Sequence, residues 1–175
     1  MRNTISLMLG AIGLATVSSV ALSQDGHIND AQIAHIAYTA GAIDVEAGRQ
    51  ALAKSKNTTV RAFASTMVRD HQAVNDQALA LVKKLGVTPE GNATSTALTK
   101  QAAREHEALA GLSGAQFDHA YIANEVAYHR IVNGALRDTL IPGVRNPELK
   151  SLLQTGLTLF GEHQAHAEHL AASLK

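Results

Sequence analysis

The spacing Glu125-Val126-Ala127-Tyr128-His129 sets a carboxylate and an imidazole one helical turn apart, as a helix does when it offers two ligands to one metal ion. His163 and His166 are neighbours at i and i+3 on a later segment. His71 stands inside a seam whose other members, Val60, Ala64, Met67, Val74, Ala78, Leu81 and Leu85, recur by three and four, so its ring belongs to a packed interface. Asp44 shares a face with Ala40 and Ala47, while Glu46, turned about 200° away at roughly 100° per residue, faces solvent. Asp118 and Tyr121 complete the inward polar set. A buried carboxylate without a partner is costly, so these groups must meet one another, a metal ion or water.

Imidazole and carboxylate donors suit iron, copper, zinc or manganese and do not choose among them. Cysteine is absent, which removes disulfides, thiolate catalysis and sulfur-ligated zinc or iron–sulfur sites. The metal reading takes His71, His129, His163, Glu125 and Asp44 as ligands, with Asp118, Tyr121 and His166 as weaker or supporting partners. The remaining histidines differ: His27, His35, His106 and His119 read as surface or cap residues, and His169 as exposed. The competing reading is a metal-free buried network in which histidines and acids satisfy each other. A pair of clean Glu-x-x-His motifs is missing, which disfavours a di-metal oxidase and an enzymatic role generally.

The elements that must position these groups are helices. Apolar residues make up 46% of the chain but aromatics only 3%, a core of Ala, Leu, Ile and Val that suits close helix packing. The periodicity is helical from Ile28 onward. A first helix runs from an N-cap at Asp30 to Lys56, with the stripe Ile33, Ile36, Ala37, Ala40, Ile43, Ala47 and Ala51. Asn57-Thr58 recaps a second helix that ends at Leu85, with Gly86 as its C-cap. Residues 87–93 form a loop, and a short helix covers Thr96 to Leu109. A third long helix spans Ala115 to Leu140, with Asp118, Tyr121, Glu125, Tyr128, Val132 and Ala135 on one stripe and His129 beside it. Pro147 opens the fourth, which reaches Leu174 along Leu149, Leu153, Gly156, Phe160, His163, Ala167 and Leu170. The reading is all-α: an up-down four-helix bundle, with one short extra helix, between the second and third long ones, crossing an end. With a rise of about 1.5 Å per residue and alternating directions, Asp44, His71, Glu125, His129 and His163 fall about 15–25 Å above the Ile28 end. Asp118 falls near that end instead.

Arg2, the apolar stretch Ile5 to Ala21 and the small residues of Ala21-Leu22-Ser23 read as a signal peptide over residues 1–23, cleaved before Gln24. The mature domain, residues 24–175, is then expected in the periplasm or secreted, without stable membrane insertion. Basic and acidic residues balance at 15 each, which gives neither the footprint of a nucleic-acid binder nor a polybasic membrane face. Protein partners and oligomeric state, a homo-oligomer among them, are left open by the surface pattern.

Several stretches resemble a bacterial family known as Domain of Unknown Function 4142. They are Ala62-Phe63-Ala64 with Met67-Val68-Arg69-Asp70-His71, the run Leu112 to Tyr121, Asn124-Glu125-Val126-Ala127-Tyr128-His129, and Glu162-His163. The resemblance extends from about Ile28 to Leu170 and implies a ferritin-like fold and export rather than an activity. Members often carry Glu where this chain has Asp44, with Gly48 one turn on; the shorter Asp44 reaches less far.

Overall fold

The computed structural model describes residues 28–174. The leader, the cleavage point before Gln24 and His27 lie outside the described residues. Helices α1 (Asp30–Lys54), α2 (Thr58–Leu85), α3 (Ala93–Ala110), α4 (Gly114–Ala135) and α5 (Pro147–Ser173) make up the architecture, and the described residues contain no strand. A π-turn (Leu136–Leu140) and a final turn (Ile141–Gly143) extend α4. The wide turn precedes Pro142, whose ring would press on the carbonyl four residues back in a regular helix. No described helix is long and apolar enough to cross a membrane.

Asparagine starts four of these helices. Asn29, Asn57, Asn92 and Asn146 each accept a backbone N–H of the first turn on their side chain. The cap of α1 is therefore Asn29 and not Asp30. The Asp30 carboxylate instead accepts the N–H groups of Arg145 and Asn146, at 2.9 and 2.7 Å, tying the start of α1 to that of α5. At the other end of α2, Gly86 closes the helix with φ 64°, a left-handed conformation that glycine adopts without strain.

Contacts between the long helices fix their directions. Lys84 pairs with Glu148 at 2.5 Å and Asp70 with His163 at 3.0 Å, so α2 and α5 are antiparallel. Arg130–Glu168, at 3.0 Å, together with the bond from Asn133 to the Phe160 carbonyl, makes α4 and α5 antiparallel. The long helices thus form a ring, α1-α2-α5-α4, in which each runs opposite to its neighbours.

This corrects two expectations. The directions do not alternate along the chain, because α2 and α4 run the same way. The cause is α3, which does not cross an end: its 18 residues lie along α1, parallel to it, and carry the chain back up its length. Asn92 donates to the Gln32 carbonyl, Gln50 to that of His106 and Lys54 to that of Ala110. Asp118 consequently lies at the Lys54 end, away from Ile28.

The buried stripe of α5 is Leu149, Leu153, Gly156, Phe160, His163, Ala167 and Leu170, as the periodicity gives it. On α2 the stripe drifts, so that Asn75 and Val82 are buried where Leu81 and Leu85 were expected. A straight helix of 3.6 residues per turn slips about 20° per heptad against a 3.5 repeat. On α4, His129 and Asn133 hold the buried line, and Tyr128 and Val132 flank it.

Candidate metal centre

Midway along the ring the apolar stripes of all four long helices are interrupted at one level. Asp44, Glu125 and His129 are each 1% exposed, His71 is 2% and His163 is 4%. Glu46 is exposed and pairs with Arg49. The rings of His71, His129 and His163 lie with centroids 5.2 to 5.6 Å apart, pair by pair. One donor atom from each of these three imidazoles, and likewise one each from Asp44, Glu125 and His129, fall within 4.8 Å of one another. His129 belongs to both groups and joins them.

Close approach of α1 and α2 gives the short Asp44 side chain its reach. A Cβ at Gly48 would lie 2.8 Å from a Val68 methyl and 3.0 Å from the Ala64 carbonyl, and one at Gly41 would overlap the Asn75 amide. These two glycines bracket Asp44 and let the backbones approach. Asp44 Oδ2 thereby stands 3.0 Å from His71 Nε2 and 3.3 Å from His129 Nε2.

The distances are short, but the alignment is not that of a hydrogen-bonded network. Both Asp44 oxygens, both Glu125 oxygens, both His71 nitrogens, His129 Nε2 and His163 Nδ1 are buried without a hydrogen-bond partner among the described residues. Buried polar atoms are almost always paired, so such a concentration calls for an explanation. The atoms that are paired have an orienting role. His129 Nδ1 lies 3.0 Å from the Glu125 carbonyl, which fixes the proton there and turns the Nε2 lone pair inward. His163 Nε2 bonds Asp70 Oδ2 at 3.0 Å and leaves Nδ1 free toward the other rings. Asp70 in turn is held by Arg69 at 2.6 Å.

Electrostatics push the same way. Burial lowers the His71 pKa to about 3, with His163 adding to the effect. Burial also lowers that of His129, against the attraction of Asp44. Both rings are neutral near pH 7, the form that ligates metal. Burial raises Asp44, and it raises Glu125 well above the usual carboxylate range, where the neighbouring Asp44 adds to it. Two buried carboxyls side by side resist ionisation unless a cation stands between them. Three neutral imidazoles and two carboxylates would place two negative charges around a divalent ion, so this donor set fits one.

The weaker candidates separate. The Tyr121 hydroxyl is buried without a hydrogen-bond partner among the described residues, and burial, with the Glu125 carboxyl adding to it, raises its pKa well above the usual phenol value. Asp118 is buried but lines a cleft with Lys54, Lys56 and Ser113, apart from the cluster. His166 is exposed and packs edge-on against Phe63, so it joins nothing here. His106, His119 and His169 are exposed and His35 is half-buried. Sequence reasoning missed Asp70 as a site residue, although the adjacent Asp70-His71 pair was a signal. It also missed Tyr128, whose hydroxyl donates to the Ala40 carbonyl at 2.9 Å and ties α4 to α1.

A family model described as "Domain of unknown function (DUF4142)" matches residues 15–170. The chain belongs to this family. No curated protein and no solved structure matches it. Membership in DUF4142 brings no assigned activity.

Proposed function

We propose that the protein is an exported, ferritin-like helical bundle that binds a transition-metal ion and serves in metal handling or protection against oxidative stress. Its ligands are His71, His129 and His163, with Glu125 and Asp44, drawn from all four long helices. One observation carries this reading: buried donor atoms of these five residues approach each other closely yet lack hydrogen-bond partners among the described residues. A bound ion supplies the compensating charge and accepts the lone pairs, and Asp70 and the Glu125 carbonyl hold two of the rings in the required orientation. Iron, copper, zinc and manganese all suit mixed nitrogen and oxygen donors. Arg2, the apolar stretch Ile5 to Ala21 and the small residues of Ala21-Leu22-Ser23 support export.

Elemental analysis of protein purified without a histidine tag tests this directly, combined with melting curves under metal titration. Near-stoichiometric metal, and a melting temperature that rises with free metal, are expected. The second reading, a non-catalytic envelope or stress protein with a metal-free polar network, draws on the 3.0 Å approach of His71 to Asp44. It predicts no bound metal and no stabilisation at micromolar levels.

A further inference from the structure

The cluster has an apolar neighbour that its chemistry does not explain. Between it and the Ile28 end of the bundle lies a cavity of about 110 Å³, walled almost wholly by apolar surface. Small residues, Ala34, Ala37, Ala40, Ala78, Ala135 and Gly156, make up much of its lining. At one end its wall is Asp44, His71 and His129, whose unpartnered atoms are the buried donors described above.

We propose that this cavity is a binding chamber for a small, uncharged, apolar molecule that reaches the cluster from the Ile28 side. Size and lining decide the ligand class. An apolar cavity of about 150 Å³ takes up benzene or xenon, and here water finds unpartnered polar atoms only at the cluster end of the wall. This one is somewhat smaller, so its occupant has up to about six heavy atoms. Ions and sugars are excluded by the cost of desolvating them against these walls. Binding in the chamber is independent of the metal reading; delivery of the molecule to a metal rests on it. The arrangement suits a centre that meets apolar molecules, dissolved gases included, while bulk water is held off.

The test uses purified protein stripped of metal by a chelator, with benzene as the probe and xenon, read by its NMR shift, as a second. At about five times its dissociation constant, benzene should raise the melting temperature by about 2–4 °C. Filling the chamber with Ala135→Leu or, should that variant fail to fold, Ala37→Leu should abolish both responses. Absence of a benzene or xenon response in the wild type, or an undiminished one in the filled variants, overturns the proposal. A further arm addresses delivery. In protein loaded with cobalt(II), benzene should perturb the visible spectrum of the ion. A chamber that binds benzene in a protein that takes up no metal would defeat the metal reading alone. A cobalt spectrum indifferent to bound benzene would defeat delivery.

Discussion

The polar layer divides the core into two unlike halves. Toward the Lys54 end, Val60, Phe63, Ala64, Met67, Phe117, Tyr121, Ile122 and Ala167 are all fully buried, and Phe63 and Phe117 pack on Tyr121 with ring centroids 6.2 and 6.1 Å away. Toward Ile28, the large side chains Ile36, Leu136, Leu140, Leu149, Leu153 and Phe160 form a shell around the cavity instead of filling it. The same bundle is therefore solid on one side of the cluster and hollow on the other. Solid packing against Glu125 and Tyr121 fixes the donors in place, whereas the hollow side leaves His71 and His129 approachable.

The sharpest way to break this contrast is to change volume on each side. Phe63→Ala should cost about 3–5 kcal/mol, read by urea denaturation. Enlarging a residue in the solid half, Ala64→Leu, should cost about 1–3 kcal/mol through overpacking. The same enlargement at Ala135, which lines the hollow, should leave stability unchanged or raise it. Equal penalties at Ala64 and Ala135 would show that the two halves are packed alike.

Next in size is the cluster itself. At a free metal concentration of about 100 times the dissociation constant, binding should add about 2.7 kcal/mol to unfolding stability. His163→Ala should remove most of that gain, whereas His106→Ala, on the exposed face of α3, should keep it. Asp70→Asn probes orientation rather than ligation. Loss of a carboxylate that holds a ligand ring typically weakens metal binding about 10–100-fold. A titration in which Asp70→Asn matches the wild type would mean that His163 needs no such support.

Much of this layout was legible in the sequence, for reasons that differ residue by residue. His71 and His163 interrupt apolar seams, so their burial follows from helical period alone. The common level of the donors was legible although α4 and α5 both run opposite to the alternating order. His129 stands near the middle of its extended helix, so its height is nearly the same whichever way that helix runs. Asp118, close to an end, had no such protection and was placed at the wrong one. The run of α3 along α1 was not legible, because an amphipathic helix shows which face it buries but not against what. The hollow was not legible either: alanine at 37, 78 and 135 reads equally well as tight packing or as missing volume. Asp70 lies beside the seam, and only the α2–α5 contact reveals its bond to His163.

The smallest effect concerns pH, and its sign separates the metal-free from the metal-loaded protein. Without metal, His71 has a folded pKa of about 3 against an ordinary value of 6.5, and His129 is lowered as well. A depressed value means that the unfolded chain binds protons more readily. The stability these rings contribute is present above about pH 6.5 and declines as pH falls toward the folded value. Asp44 and Glu125 are raised, so they act in the opposite sense: their contribution is present in acid and is lost as pH rises through their folded values. Where these ranges overlap the two slopes oppose each other, and each group supplies at most about 1.4 kcal/mol per pH unit. The metal-free protein should therefore show a shallow dependence in urea denaturation across this window. A bound cation holds both carboxyls ionised and all three imidazoles neutral in the folded state. Acids and bases then lose stability together as pH falls, and the curve should steepen. Parallel curves with and without metal would mean that the ion sits somewhere other than among these five side chains.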